Sequence, residues 1–155
     1  MKLFKLLAAT LLMLGTFGMS VLADEPKDKV KAAFVYVGPT GDHGWTYRHD
    51  IGRQQVEEAF GDRVETTFIE SVPEGADAER VMTQLAMQGN DIIFATSFGY
   101  MDPLMSVAKK FPNVKFEHAT GYKQSENAAN YGLKLYQARH VQGIIAGMMT
   151  KTNTI

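Results

Sequence analysis

Short apolar runs alternate with longer amphipathic stretches along most of this chain. Residues 30–37, VKAAFVYV, are rich in β-branched and aromatic side chains and stop at Gly38-Pro39, which predicts a buried strand. Residues 47–60 read as a helix with Ile51, Val56, Ala59 and Phe60 on its apolar side and Gly61 just past its end. A second strand is predicted over 64–69. The helical period is clearest over 77–88, where Ala78, Val81, Met82, Leu85 and Ala86 recur at i, i+3, i+4, i+7 and i+8 before Gly89. Residues 92–96 are short, apolar and bounded by polar residues, as a central parallel strand would be. Asp102 is placed to cap the next helix, with Pro103 at its first position, Leu104, Val107, Ala108 and Phe111 inward, and Pro112 closing it. Further strands are predicted over 114–118 and near 130–133, and a last helix over 137–149 has Val141, Ile144, Ile145 and Met148 on one side.

Strand and helix in alternation imply an α/β fold, a parallel sheet with right-handed crossovers and helices on both faces. Sheets of this kind bind ligands at the carboxyl ends of their strands, near the point where the strand order reverses. The loops after Val37, Ile69, Thr96 and His118 are therefore where function is expected.

The amino terminus carries a different pattern. Lys2 and Lys5 precede an apolar run from Leu6 to Leu14, and Val21-Leu22-Ala23 has the small or modest residues of a cleavage site, so residues 1–23 are expected to be a secretory signal peptide removed after Ala23. The apolar run is shorter than the roughly 20 residues of a spanning helix, and Gly15 and Gly18 break up the residues beyond it. Residues 24–155 are then expected to form one domain, free in the periplasm and with no stable membrane insertion, since the chain has no cysteine for a disulfide or a lipid anchor. Setting aside Lys2 and Lys5, 14 basic residues face 17 acidic ones, with no basic block, which argues against nucleic acid as a partner.

The candidate loops are rich in glycine, hydroxyls and rings. The first, GPTGDHGWT over 38–46, holds three glycines and the single tryptophan, Trp45. Its G-x-x-G-x-x-G spacing is not the dinucleotide fingerprint, and no Gly-Lys-Ser/Thr comes after it, so no phosphate loop is indicated. Trp45 is either core filler or a platform on which a planar ligand stacks. The third loop, Thr96-Ser97-Phe98-Gly99-Tyr100-Met101, lacks G-x-S-x-G, so Ser97 has no mark of a nucleophile, and Phe98 and Tyr100 are either ligand contacts or packing beneath the loop. The fourth, His118-Ala119-Thr120-Gly121-Tyr122, has the same character. His43, His49, His118 and His140 form no metal spacing, no cofactor motif is present, and no second group is placed by sequence beside Asp42, Asp50 or Glu117 for acid-base work. Asp50, in the first turn of its helix, is expected to serve the helix dipole. These loops suit holding a planar polar molecule better than transforming one.

The segments KAAFVYVGPTGDHGWTYRHDIGRQQVEEAFG, VPEGADAERVMTQLAMQGNDIIFATSFGYMDP, KKFPNVKFEHATGY and YQARHVQGIIAGMMTKTN, in this order, resemble a proteobacterial branch of the basic-membrane-protein family. The resemblance implies the first lobe of a two-lobed, type I periplasmic-binding fold, with a purine base or nucleoside held between the lobes and passed to an ABC permease. On the family pattern Asp-x-x-Phe-Asn, the matching positions are Asp42, Trp45 and Thr46: Trp45 keeps the stacking ring, and Thr46 stands where asparagine hydrogen-bonds. Ala119-Thr120-Gly121 replaces an aspartate that can bind a ribose, which favours a free base. The ligand contacts expected are Asp42, Trp45, Thr46, Ser97, Phe98, Gly99, Tyr100, Gly121 and Tyr122.

Two other readings compete with the transport receptor. One is a small exported α/β enzyme, for which no nucleophile, paired base or metal set is visible. The other comes from the family's length: a chain ending at Ile155 would carry one lobe without the second, and it would then be a remnant with the fold and no binding activity of its own.

Overall fold

The computed structural model describes residues 29–154, so the expected signal peptide over 1–23 lies outside the described residues. Five strands form one parallel sheet: β1 (Val30–Val35), β2 (Val64–Ile69), β3 (Ile92–Ala95), β4 (Lys115–Ala119) and β5 (Ala128–Tyr131). Their spatial order is β2-β1-β3-β4-β5, every neighbouring pair parallel. The helices are α1 (Trp45–Phe60), α2 (Ala76–Met87), α3 (Met101–Lys110) and α4 (Leu135–Met149). The predicted architecture is the observed one.

Strand alternation divides the core into two layers. Ala33, Val35, Ile93, Ala95 and Phe116 point to one face, where Ala78, Val81, Met82, Leu85 and Ala86 of α2 and Leu104, Val107 and Ala108 of α3 close over them. Those α2 positions are the i, i+3, i+4 set read from the sequence, and each large side chain buried there contributes about 1.5–3 kcal/mol of transfer free energy. Ala32, Phe34 and Tyr36 point to the other face, with Val64, Ile92 and Phe94 against them. Phe34 and Phe94 stack with ring centroids 4.6 Å apart.

The second face departs from expectation. α1 begins two residues before the predicted start, and its buried residues are Thr46 and Asp50. Ala59 is exposed and Phe60 is 48% exposed, whereas Ile51 and Val56 are half-buried. The reason is a polar centre beneath the helix. The Tyr36 hydroxyl donates to Asp50 at 3.3 Å, and the same carboxylate accepts from Arg53 Nε at 2.7 Å and Gln54 Nε2 at 2.7 Å. Burial alone would raise the Asp50 carboxyl, but the hydrogen bonds from Arg53 and Gln54 and the Arg53 charge outweigh it and hold it below the ordinary value. Asp50 therefore serves an ion pair rather than the helix dipole.

Further corrections concern the start of α3, the fifth strand and the apolar side of α4. Asp102 does not cap α3, which starts at Met101 after a 3-10 turn over Phe98–Tyr100; Asp102 stands exposed and pairs with Lys123 at 2.5 Å. The fifth strand lies two residues earlier than predicted. The apolar stripe of α4 is where the sequence put it, but Val141, Ile144, Ile145 and Met148 are all exposed, and α4 contributes no buried residue.

Candidate ligand-binding edge of the sheet

The chain runs from β1 outward to β2 and then back past β1 to β3, so the strand order reverses between β1 and β3. Trp45 lies at this reversal. It starts α1 in the loop after β1, and its indole N–H donates to the Thr96 carbonyl, just past β3, at 2.5 Å. That bond fixes the plane of the half-buried ring. His49, one helical turn on, lies against it at 4.7 Å between centroids.

Three carboxylates brace the loops at this edge by accepting backbone N–H groups. Asp42 takes those of Gly44 at 2.7 Å, Tyr47 at 3.0 Å and Thr46 at 3.4 Å, tying the first loop to the start of α1. Those bonds, Gly44 first and then Tyr47, hold the exposed Asp42 carboxyl below its ordinary value. Glu70, after β2, accepts from Thr40 N at 2.7 Å and from the Thr40 hydroxyl at 2.9 Å. Glu74 accepts from the Ser97 hydroxyl at 2.6 Å and Gly99 N at 3.2 Å. A side-chain carbon at Gly99 would fall 2.1 Å from the Glu74 carboxyl carbon, so any other residue there would push the carboxylate out of this position. The backbone here is also strained. His43, Ser71 and Thr120 have φ of 52°, 57° and 67°, left-handed values that non-glycine residues rarely adopt, and all three sit in loops at the carboxyl ends of strands.

The predicted site residues divide into two groups. Phe98 and Tyr122 come together from the third and fourth loops, ring centroids 6.4 Å apart, and remain 56% and 70% exposed. Trp45, Asp42, Ser97, Gly99 and Gly121 occupy the same edge. Thr46 and Tyr100, by contrast, are fully buried. The Thr46 hydroxyl accepts from Gly38 N at 3.2 Å, and the Tyr100 hydroxyl donates to the Val72 carbonyl at 2.6 Å. Burial first, and the nearby Glu74 charge second, push the Tyr100 phenol up. Both residues hold the loops from beneath, so the reading of Tyr100 as packing is the one the structure favours.

Glu70, Glu74 and His118 are the residues of this edge that the sequence reading left without a role. Glu70 and Glu74 lie in the loop after β2, which topology alone marks as functional; nothing in their spacing signals which backbone amide each will reach. Elsewhere, the open face of the sheet carries two apolar concavities. One of about 510 Å³ is lined by Val30, Ala32, Val56, Phe60, Arg63, Val64, Ile92 and Phe94, and a second of about 350 Å³ by Phe34, Phe94, His49, Arg53 and Tyr131 among others. Among the described residues, no group of three or more His, Asp or Glu could hold a metal ion, and no helix is long and apolar enough to cross a membrane.

Solved structures share this parallel α/β fold. An ABC transporter solute-binding protein from Aeropyrum pernix superposes with a TM-score of 0.66 at 24% identity, over 76% of this chain and 32% of that one. Residues 29–155 match the family model of PnrA-like ABC transporter substrate-binding proteins, and the chain belongs to that family. A purine-binding protein of Brucella abortus is 57% identical over 129 residues, 83% of this chain and 37% of that protein. A Haloferax volcanii protein named for ABC-transporter glucose binding is 44% identical over 128 residues, 83% of this chain and 32% of that protein. The chain thus spans about a third of the length of the curated relatives it matches.

Proposed function

We propose that this lobe supplies one wall of a site for a purine base or nucleoside, stacked on Trp45, in an exported receptor that delivers its ligand to an ABC permease. The observation that carries the proposal is the Trp45 indole, held across the strand reversal by its bond to Thr96. A ring fixed in place loses little freedom on binding, and stacking a base on it is worth about 1–3 kcal/mol. The 57% identical purine-binding relative supports the choice of ligand. Asp42, Glu70 and Glu74 at the same edge disfavour a phosphate, so the ligand is unphosphorylated. Ala119-Thr120-Gly121 supports a free base over a nucleoside, as the family resemblance implies. With the Thr46 hydroxyl turned inward, the polar contacts to the base fall to other groups of this edge and to the second lobe of the two-lobed fold.

The 44% identical relative named for glucose binding favours one other reading, a sugar on the same ring. Titration of the two-lobed protein with adenine and with glucose, read by the fluorescence of Trp45, separates them: quenching by adenine alone is expected. Quenching by glucose alone would keep the receptor and overturn the purine. Export is tested separately, by sequencing the amino terminus of the periplasmic product, which should begin at Asp24.

A further inference from the structure

The exposed pair Phe98 and Tyr122 belongs to two different loops, and one buried side chain touches both. His118, at the end of β4, is 1% exposed. Its Nε2 lies 2.7 Å from the Ser97 carbonyl oxygen; since a carbonyl only accepts, Nε2 carries the proton and donates. The rest of the ring lies under Gly121. A side-chain carbon at that position would fall 1.8 Å from His118 Nδ1, 2.4 Å from its Cε1 and 2.9 Å from Asn130 Oδ1. The Nδ1 and Oδ1 atoms are buried and have no hydrogen-bond partner among the described residues, so the fourth loop lies directly on two polar atoms left unengaged, while the same side chains bond elsewhere through His118 Nε2 and Asn130 Nδ2.

The residues next to these anchors are the two exposed rings. Phe98 sits between Ser97, held by His118 through its carbonyl and by Glu74 through its hydroxyl, and Gly99, whose N–H also binds Glu74. Tyr122 directly succeeds Gly121. Between His118 and Tyr122 the chain passes through Thr120, left-handed at φ 67° and held by its N–H to the Tyr131 carbonyl at 2.8 Å. A β-branched residue in that conformation is imposed by its surroundings, and strain of this kind gathers at ligand clamps.

We propose that His118 is a positioning residue: by bonding the third loop and supporting Gly121 of the fourth, it sets the gap between Phe98 and Tyr122, which form a second aromatic element of the ligand site. Gly121 then acts by having no side chain, rather than as a ligand contact. The role in binding rests on the function proposed above; the coupling of the loops does not.

The test is a double-mutant cycle of His118→Ala and Gly121→Ala with two readouts. The first, on the ligand-free chain, is the nuclear Overhauser contact between the Phe98 and Tyr122 rings. It should be present in the wild type and lost in each single variant. The second is adenine affinity in the two-lobed protein, which each single variant should lower about tenfold, as loss of one buried hydrogen bond predicts. The double variant should bind no more weakly than His118→Ala, because removing the ring removes the group that the new methyl strikes, whereas independent sites would multiply their losses. If His118→Ala does not fold, His118→Gln serves, keeping a donor but not the ring, and should also lose the ring contact. Persistence of the ring contact in the single variants, or losses that multiply, would overturn the proposal. A wild type that shows the ring contact but binds no adenine would overturn the purine reading and leave the positioning role standing.

Discussion

The two faces of this sheet are made from the same five strands and end in very different states. Under α2 and α3 the layer is apolar and closed, with Met82, Leu85, Ile93, Leu104 and Val107 almost wholly out of water. Under α1 the strands offer Phe34, Phe94, Val64 and Ile92, and the helix answers with an Asp50–Arg53 ion pair bonded to Tyr36, leaving open concavities beside it. The closed face carries the stability of the fold through packing. The open face fixes α1, and hence Trp45 at its first position, through directional polar bonds. Packing tolerates little loss of volume, whereas a polar network fixes orientation and makes it sensitive to charge.

The largest effect should come from breaking the closed face. Leu104→Ala leaves a cavity between α3 and the sheet and should cost about 2–5 kcal/mol, read from the shift of the urea midpoint. Asp50→Asn, on the open face, should cost less, about 1–3 kcal/mol, because Arg53 keeps Glu57 at 2.8 Å but loses its bond to an ionised carboxylate. The two variants should also differ with pH. Asp50 and Asp42 are held below the ordinary 3.8 in the folded chain, so the stability they contribute is present above that value and is lost as pH falls from there through their lowered folded-state values. Acid titration of the urea midpoint should therefore fall less steeply in Asp50→Asn than in the wild type or Leu104→Ala. Phe60→Ala should give the smallest change, about 0.5 kcal/mol or less, since that ring is already half in water. A large loss there would mean that the open face is packed in solution.

Where the sequence pattern was strong, it was also sufficient. The five small and large apolar positions of α2 match a helix lying on a sheet, and all five are buried. The strand at 64–69 has the predicted bounds because turn residues flank it on both sides. α1 was legible as a helix but not as a packing surface: its register is set by Thr46 and Asp50, and a buried polar side chain looks like a surface one until its partner is known. The same holds at the loop edge. Trp45, Phe98 and Tyr122 stood out as rings in loops, but Tyr100 looks the same in sequence and is core. The braces from Glu70, Glu74 and His118 join residues 21 to 30 positions apart, which local spacing does not report. Asp102 shows the opposite failure, a residue with capping chemistry that a preceding 3-10 turn displaced from the capping position.

The central claim is that the ligand stacks at the strand reversal and not in the apolar concavities of the open face. Its most direct test is calorimetric adenine affinity in the two-lobed protein for Trp45→Ala beside Phe94→Ala, which lines both concavities. Trp45→Ala should weaken binding about 5- to 150-fold, the stacking range, and Phe94→Ala should leave it within about twofold of the wild type. Unchanged affinity in Trp45→Ala with a loss in Phe94→Ala would contradict the account, placing the ligand on the open face and making Trp45 a packing residue.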